Sequence, residues 1–360
     1  MTRIESTKIP DTGSWAVTPG VQLVLGKEIS SETRSQPTSR AISLTYERGT
    51  IVLEGSPWRI EQLRVPELRW DRRIGAYRVP AYRYAVLRAT LGAQSVPIHD
   101  LDSRWQRRAR LRLTAPQLRD YQGAALAAWE AGGQRGVVML PTGSGKTRVA
   151  IAAIAAVARP TLILVPTRSL LAQWVEALSR IRFHPPVSRF GDGTHDLGPL
   201  TVATFAAAER HGEELGERFH LLVVDEAHHL AGPVQGELLE LFVAPLRLGL
   251  TATPPSPKDD PQGAGRLERR VGPIVYRERT SALIDAGHLA GFDVQRLVIE
   301  LTPGERATYE RCREVTQRAR VMMVDQKGVL PDWKTMAYEA KRRGPAVSAA
   351  LREAFAARRE

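Results

Sequence analysis

The chain has 360 residues, a formal net charge of +12 at neutral pH and one cysteine, Cys312, which excludes an internal disulfide framework and a cysteine-cluster metal site. No secretory leader pattern is found, and no uninterrupted apolar run reaches the ~18 residues of a membrane span. We therefore expect a soluble, cytoplasmic protein of two or three domains that does not engage a membrane.

The positive charge is concentrated in the two flanks of the sequence. Residues 1–120 carry a net charge of +8 and residues 301–360 carry +5, whereas residues 121–300 carry −1. This distribution favours a polyanionic partner that touches the flanks. The alternative is an arginine-rich surface that only keeps the protein soluble.

A small α/β unit is predicted over residues 41–103, after a Ser-, Thr- and Pro-rich lead-in over residues 1–40. Alternating apolar residues at 42–46, a Gly-Thr turn and an apolar return predict a β-hairpin. A second turn follows near Gly75, and residues 82–91 have the periodicity of an amphipathic helix. The unit is predicted to be joined to the next domain by a linker at 104–117, whose five arginines either face DNA or are solvated.

Short apolar runs alternate with helical segments over residues 118–302, which predicts a doubly wound parallel sheet. Nearly continuous apolar strands are expected where both faces of a sheet are covered. The predicted strands are 136–140, 161–165, 200–203, 221–225, 246–250 and a closing strand at 292–301. A helical segment is predicted over 303–360, with helices at 303–323 and 346–359.

The string PTGSGKT at residues 141–147 follows a predicted strand and precedes a predicted helix. Its two glycines permit backbone angles at which amide groups converge on phosphate oxygens, and the helix N-terminus adds positive charge. Lys146 can reach the β- and γ-phosphates, and the hydroxyl of Thr147 can ligate Mg²⁺. Leu140 stands where the strict pattern G-x-x-x-x-G-K-S/T has glycine, so the prediction depends on the strand–loop–helix context. The predicted phosphate-binding residues are Thr142, Gly143, Ser144, Gly145, Lys146 and Thr147.

A pair of carboxylates, Asp225 and Glu226, ends the apolar run 221–224. Open parallel sheets bind their ligands at this carboxyl edge. Asp225 is predicted to hold Mg²⁺, and Glu226 to orient and deprotonate the attacking water, since phosphoryl transfer rests on positioning and charge neutralisation. An isolated Asp-Glu pair is usually a solvated turn, but a strand tip downstream of a phosphate loop is more specific. Adjacent His228 and His229 do not favour a zinc site.

The ordered motifs resemble those of superfamily-two helicases and are most similar to the XPB-type DNA repair helicases of archaea and bacteria. The resemblance covers residues 42–325 and includes YERGTIV at 46–52 in the N-terminal unit, which is similar to the small DNA-probing domain of that family. The motor motifs are LRDYQ at 118–122, PTGSGKT, LILVPTRSLLAQW at 162–174, TVATF at 201–205, DEAHH at 225–229 and LGLTATP at 248–254.

The resemblance implies a RecA-like motor domain that uses ATP and Mg²⁺, with a DEAH box and with Lys146, Asp225 and Glu226 as the hydrolytic set. Gln122 would recognise adenine with Tyr121 nearby, although an ordinary surface amide is the alternative. The resemblance further implies DNA-backbone contacts at Thr167, Arg168 and Thr204. It also implies coupling of the γ-phosphate to movement at His228, Thr251 and Thr253, where a helix cap is the alternative for the two threonines.

Two family features are missing. The second motor domain of the family carries an arginine finger in a Q-x-x-G-R-x-x-R type motif, which is not found here, so we expect weak hydrolysis by the chain alone and a second motor domain or subunit in trans. An Arg-Glu-Asp triplet implicated in strand separation is replaced by Lys258-Asp259-Asp260, which questions unwinding as distinct from translocation.

The sequence thus predicts the N-terminal motor half of an ATP-dependent DNA helicase or translocase that serves DNA repair. One alternative is a translocase of a restriction or defence system, partnered by a nuclease rather than a repair protein. The other is an ATP-gated DNA clamp or regulatory subunit without turnover, which is favoured by the basic flanks and the missing second motor.

Overall fold

The structure is a computed structural model whose two compact units are Met1–Ala290 and Gly291–Glu360. The described residues are 41–99, 111–181, 183–184, 186–291 and 300–321. The predicted lead-in, most of the arginine-rich run, eight residues of the predicted closing strand and the helix predicted at 346–359 lie outside them.

Within Met1–Ala290, residues 42–99 form a small unit around a five-stranded sheet in the order β3-β4-β2-β1-β5. Its strands are β1 Ile42–Glu47, β2 Thr50–Glu54, β3 Arg69–Asp71, β4 Ala76–Pro80 and β5 Ile98–His99. The predicted hairpin is confirmed, because β1 and β2 pair antiparallel from Ser43 opposite Glu54 to Glu47 opposite Thr50. Helices α1 Pro57–Gln62 and α2 Tyr84–Ala93 complete the unit. The helix predicted at 82–91 begins later, after a 3₁₀ turn at Ala81–Arg83.

A seven-stranded sheet in the order β10-β11-β8-β12-β13-β7-β14 forms the centre of the next segment, and every strand pair in it is parallel. The strands are β7 Arg135–Met139, β8 Thr161–Val165, β10 Ser188–Phe190, β11 Leu200–Thr204, β12 Leu221–Val224, β13 Leu246–Thr251 and β14 Ile274–Arg277. All residues of β8, β11 and β12 are buried, so apolar runs mark strands covered on both faces. The predicted α/β class with a doubly wound parallel sheet is confirmed.

Helices lie between the strands and cover both faces of this sheet. They are α3 Asp120–Ala131, α4 Lys146–Val157, α5 Arg168–Ser179, α6 Phe205–Arg210, α7 Gly212–Leu215, α8 Pro261–Arg270 and α9 Thr280–Asp285. Strands β6 Arg112–Leu113 and β9 Phe183–His184 form a separate antiparallel pair. Trp129 and Trp174 belong to one core cluster, and Phe190 and Phe242 to the other, so the sheet separates two hydrophobic layers.

The five-stranded unit packs directly on the segment that contains the parallel sheet. Tyr46 on β1 donates its hydroxyl hydrogen toward the carbonyl oxygens of Gly212 (3.2 Å) and Leu241 (3.1 Å). Val243 is fully buried within the hydrophobic core of the five-stranded unit. Burial raises the pKa of Tyr46 to about 12. The small unit is therefore attached to the loop before β13 by both apolar packing and hydrogen bonds.

A buried arginine fixes that same loop. The guanidinium of Arg247 on β13 is fully buried and donates to the carbonyl oxygens of Leu239, Phe242, Ala244 and Arg270 at 2.5–3.1 Å. Burial lowers its pKa well below the usual value. A buried cation is tolerated only when its donors are satisfied. These four hydrogen bonds hold the loop before β13 in the conformation on which the small unit packs.

In the second unit, α10 runs from Pro303 to Val321, which confirms the helix predicted at 303–323 as far as the described residues extend. Its N-terminus is capped reciprocally: Thr302 N–H donates to the Glu305 carboxylate (2.9 Å), and Glu305 N–H donates to the Thr302 hydroxyl (3.3 Å). Residues 300 and 301, at the end of the predicted closing strand, have no strand conformation. Among the helices of the described ranges, none combines the length and the apolar character that crossing a bilayer requires.

Replacing Tyr46 by Phe should lower the free energy of unfolding by about 1–2 kcal/mol, because two partly buried carbonyls lose a donor while the ring packing is kept. Thermal and urea unfolding measure the loss. Tyr77→Phe is the matched control, since its hydroxyl bonds Glu61 inside the small unit. The attachment is disproved if Tyr46→Phe unfolds like the wild type and remains equally resistant to proteolysis between the two sheets.

Candidate nucleotide site

Four neighbouring strands deliver the predicted site residues to one edge of the sheet. β7 leads into the phosphate loop, β13 ends at Thr251, β12 is followed by Asp225, and β8 by Thr167 after one residue. The carboxyl ends of parallel strands share an edge, so motifs more than 100 residues apart in sequence become neighbours. This edge is the candidate nucleotide site.

The phosphate loop has the backbone that its glycines predict. Gly143 and Gly145 have φ of +80° and +83°, in the left-handed region, and α4 begins immediately after Gly145. Leu140, which replaces the first glycine of the strict pattern, is fully buried and donates its N–H to Thr251 O at 3.1 Å. That position therefore extends the sheet and carries a side chain without strain. Lys146 Nζ lies 3.3 Å from Leu140 O, beneath the loop.

Tyr121 and Gln122, predicted to lie at the adenine, contact the phosphate loop itself. Tyr121 Oη and Gln122 Nε2 both donate to Ser144 O, at 2.6 and 2.8 Å. Gln122 Oε1 accepts the N–H of Arg119 at 3.0 Å and so caps the start of α3. Gln122 is buried, which does not agree with an ordinary surface amide. Its role in adenine recognition stays a prediction, because both ends of its amide are occupied by protein groups.

A cavity of ≈ 380 Å³ opens between the start of α3 and the phosphate loop. This volume is within the range of small-molecule sites. The wall combines backbone amides, the Gln122 amide and two arginines. The lining residues are Gln117, Leu118, Arg119, Gln122, Gly143, Ser144, Gly145 and Arg148. The cavity borders the phosphate loop, because Gly143, Ser144 and Gly145 belong to its wall.

Asp225 is buried directly after β12, and both of its carboxylate oxygens accept hydrogen bonds. Oδ1 accepts from the N–H of Glu226 at 3.0 Å, and Oδ2 from the indole N–H of Trp174 at 2.8 Å. Burial raises the pKa of Asp225, while the Trp174 hydrogen bond and the charge of Lys146 act in the opposite direction. Strands β7 and β12 flank β13 in the parallel sheet, so the phosphate loop and the acidic pair lie at the same edge, one strand apart.

Glu226, His228 and Thr251 form a connected group beside Asp225. Glu226 is a non-glycine residue in the left-handed region (φ +49°), a conformation that costs about 1 kcal/mol or more. His228 Nδ1 lies 3.4 Å from Glu226 Oε2 and 3.0 Å from Thr251 Oγ1, and burial lowers the pKa of His228. Thr253 is joined to the group through its backbone, since its N–H donates to Thr251 Oγ1 at 3.1 Å, while its side chain is exposed.

The donor set at this edge fits Mg²⁺. The Asp225 carboxylate and the Thr147 hydroxyl, in the first turn of α4, are hard oxygen ligands of the kind this ion prefers. Each Asp225 oxygen accepts one protein hydrogen bond and keeps lone pairs for a metal or its water. Thr147 and Asp225 are therefore the residues that would hold the ion.

The three predicted DNA contacts differ in exposure. Thr167 and Arg168 are exposed at the start of α5, where the Thr167 hydroxyl accepts the N–H of Leu170 at 3.2 Å. Thr204 is buried, and its hydroxyl caps α6 by accepting the N–H of Ala207 at 3.3 Å. A capping role explains Thr204 in this structure, whereas Thr167 and Arg168 present polar groups to solvent at the carboxyl edge.

The sequence assigns no individual role to three tryptophans. Trp174 is the last residue of the motif at 162–174, and its indole N–H donates to the Asp225 carboxylate. Trp58 and Trp70 in the small unit have 66% and 46% of their surface exposed, which is unusual for so large an aromatic residue. Their proximity in sequence to Arg59, Arg69 and Arg72 was a signal that could have marked them as a nucleic-acid surface.

Two family models match the chain, one over most residues of each sheet. Residues 44–101 match the family described as "Xeroderma pigmentosum group B helicase damage recognition domain". Residues 115–256 match "Type III restriction enzyme, res subunit". The "DNA 3'-5' translocase XPB2" of Sulfurisphaera tokodaii is 35% identical over 261 residues, which is 69% of this chain and 55% of that protein.

The matched segments belong to the XPB-type family of superfamily-two helicases. A further relative, the "DNA 3'-5' helicase XPB" of Mycobacterium tuberculosis, is 32% identical over 57% of this chain and 38% of its own length. The chain spans about half, or less, of the length of these relatives. Among solved structures, the Pyrococcus furiosus Hef helicase domain is similar with a TM-score of 0.41 and 22% identity, over 67% of this chain and 57% of that chain.

Gly145→Ala should lower ATP affinity at least about tenfold, because a Cβ there lies 2.6 Å from Gln122 Nε2 and shifts the loop that binds phosphate. The matched control is Gly133→Ala, which has a similar φ of +72° and no heavy atom within 4 Å of the added Cβ. Both variants carry the same backbone strain, so calorimetric titration with ATP separates strain from loop geometry. Equal affinities in the two variants would contradict the assignment of the loop.

Proposed function

We propose that this XPB-type chain is the ATP-binding motor half of a DNA translocase or helicase. The observation that carries the proposal is that the phosphate loop and the pair Asp225 and Glu226 follow β7 and β12, which flank β13 and end at the same edge of the sheet. The names of the relatives describe DNA translocases and helicases, which supports DNA as the track. DNA repair is the proposed process, because residues 44–101 match a damage recognition domain.

In the proposed mechanism, backbone N–H groups of residues 142–147 and the Lys146 ammonium hold the β- and γ-phosphates of ATP. When bound, Mg²⁺ would neutralise phosphate charge. Glu226 orients the attacking water and accepts its proton, with its carboxylate directed by the αL backbone and by His228. His228 and Thr251 connect this carboxylate to the end of β13. Through the Thr251 hydroxyl, loss of the γ-phosphate can change the position of Thr253.

Rapid turnover is proposed to need a second motor domain, supplied by the same protein or in trans. In related nucleotide hydrolases an arginine finger stabilises transition-state charge and is worth about 10³–10⁵ in rate. The 360 residues contain no Q-x-x-G-R-x-x-R string that would supply it. These 360 residues by themselves are therefore proposed to bind ATP and to hydrolyse it slowly.

Two surfaces are proposed to contact DNA. Thr167 and Arg168, at the start of α5, grip the phosphate backbone, which fixes register without reading sequence. The small unit presents Trp58 and Trp70, whose rings can stack on unpaired bases. The domain division proposed for this function has the DNA-probing unit at 41–103, a linker at 104–117, the ATP-binding domain at 118–302 and a helical segment at 303–360.

The restriction or defence translocase stays a second candidate because residues 115–256 match a restriction-enzyme subunit. It predicts a nuclease rather than a repair protein among the copurifying partners. The ATP-gated clamp is the candidate without turnover, and the basic charge of residues 1–120 and 301–360 is consistent with it. A partner that restores turnover excludes the clamp.

The ATPase test mixes the chain with candidate second-motor domains and duplex or single-stranded DNA. We expect low turnover alone, a rise of at least about 10³-fold with the correct partner, and loss of that rise in Glu226→Gln, because the base is removed while ATP still binds. Lys146→Ala should lose ATP binding as well. Brisk DNA-stimulated turnover by the chain alone would contradict the need for a partner, and unchanged ATP binding by Lys146→Ala would contradict the site.

The DNA test replaces Trp58 and Trp70 by Ala together. Affinity for single-stranded DNA should fall by roughly 10-fold or more, with little change in its dependence on salt, because stacking rather than phosphate contact is removed. Arg168→Gln should instead reduce the salt dependence. Tyr309→Ala, which alters an exposed aromatic residue on α10, is the control. Fluorescence anisotropy at several salt concentrations distinguishes the three variants, and equal affinities for the wild type and the Trp58/Trp70 variant would exclude the stacking surface.

A further inference from the structure

The helix that begins at the proposed DNA contact also touches the proposed Mg²⁺ ligand. Helix α5 starts at Arg168, with Thr167 as its N-cap, and Trp174 lies in its second turn. The indole of Trp174 is buried in the core, and its Nε1–H donates to Asp225 Oδ2 at 2.8 Å. At a rise of about 1.5 Å per residue, Trp174 lies roughly 10 Å along the helix axis from Thr167. The same helix therefore extends from the proposed DNA contact to the proposed Mg²⁺ ligand.

The hydrogen bond constrains the carboxylate in a specific way. Asp225 is at a strand end, and within the described part of the chain its Oδ1 accepts a hydrogen bond only from the adjacent Glu226 N–H, which moves with it. The bond from Trp174 is thus the contact by which a different element orients the carboxylate plane. Trp174 is itself held by the apolar layer that includes Leu171 and Leu178, its neighbours on the same helix face. A ring fixed in this way can transmit a displacement of α5 to the carboxylate.

We propose that Trp174 is a positioning residue for Mg²⁺–ATP binding, and that α5 uses its indole N–H to link the DNA-facing end of the helix to Asp225. This inference rests on the proposed function, because it takes Asp225 as the metal ligand and Thr167 and Arg168 as DNA contacts. It assigns the coupling between DNA binding and nucleotide binding to a single hydrogen bond. Trp174 acts through Asp225 and α5, and is assigned no contact of its own with Mg²⁺, ATP or DNA.

The core offers a matched control. Trp129 is a second fully buried tryptophan of the same hydrophobic layer, and its Nε1–H donates to the backbone carbonyl of Arg247 at 2.9 Å. Trp174→Phe and Trp129→Phe therefore remove the same ring volume and one buried indole hydrogen bond each. They differ in whether the lost acceptor is the Asp225 carboxylate or a carbonyl remote from the proposed phosphate site.

The experiment measures ATP affinity of the full chain by titration, with and without Mg²⁺. In the wild type, Mg²⁺ should strengthen ATP binding. In Trp174→Phe we expect the Mg²⁺-dependent gain to fall by about tenfold or more, as the loss of a hydrogen bond to a charged group implies, while metal-free ATP affinity stays unchanged. Trp129→Phe should keep the full gain even if its thermal stability falls equally.

Two further measurements separate positioning from packing. Trp174 replaced by benzothienylalanine keeps the ring shape and loses the N–H, so it should reproduce the Trp174→Phe result with near-native stability. In an Asp225→Ala background, Trp174→Phe should have no additional effect on the Mg²⁺-dependent gain, because its route of action has been removed. Duplex DNA should change Mg²⁺–ATP affinity in the wild type and much less in Trp174→Phe.

The outcomes distinguish failure of the proposed function from failure of the role proposed for Trp174. If the wild type binds no ATP, or binds it without any effect of Mg²⁺, the proposed function fails. If the wild type behaves as expected and the benzothienylalanine variant retains the full Mg²⁺-dependent gain, only the role of Trp174 is overturned. An equal loss in Trp129→Phe would also overturn it, since the effect would then come from general loosening of the core.

Discussion

The site depends on one constraint: the carboxyl ends of parallel strands all lie at the same edge of the sheet. β7, β13, β12 and β8 are adjacent in the sheet, so the loop that follows each strand lies beside the loop of its neighbour. Backbone pairing fixes this alignment: Asp225 N–H donates to Leu164 O at 2.9 Å, and Leu140 N–H to Thr251 O at 3.1 Å. The phosphate loop is thereby brought beside Asp225, Glu226 and His228, which are distant from it in sequence.

The same arrangement explains why polar groups at the edge are held by the core. Trp174 comes from the apolar layer and bonds Asp225, and Tyr121 comes from the same layer and bonds the phosphate loop at Ser144. Each functional loop is thus supported by a large aromatic residue whose ring is buried. On the opposite side, Arg247 fixes the loop on which the five-stranded unit is seated, so the two sheets meet through a rigid surface.

Much of this organisation was predictable because its signals are local. Apolar runs marked five central strands, and the strings around Gly143 and Asp225 marked the two halves of the nucleotide site. The edge strands β10 and β14 were not predicted, because they are short and partly solvated and lack a continuous apolar run. The contacts of Trp174, Tyr46 and Arg247 join residues distant in sequence, so no periodicity records them. The DNA contact at Thr204 stays a prediction from its motif, and the cap that its hydroxyl forms on α6 is a feature that the motif does not indicate.

The most direct test of the account is a crystal structure of the chain with a non-hydrolysable ATP analogue and Mn²⁺ in place of Mg²⁺. The account predicts the β- and γ-phosphates on the amides of residues 142–147 and the base in the cavity beside Gln122. It further predicts an anomalous peak for Mn²⁺ at about 2.0–2.3 Å from Thr147 Oγ1, with Asp225 binding the ion directly or through water. A nucleotide bound elsewhere, or an ion remote from both Thr147 and Asp225, would contradict it.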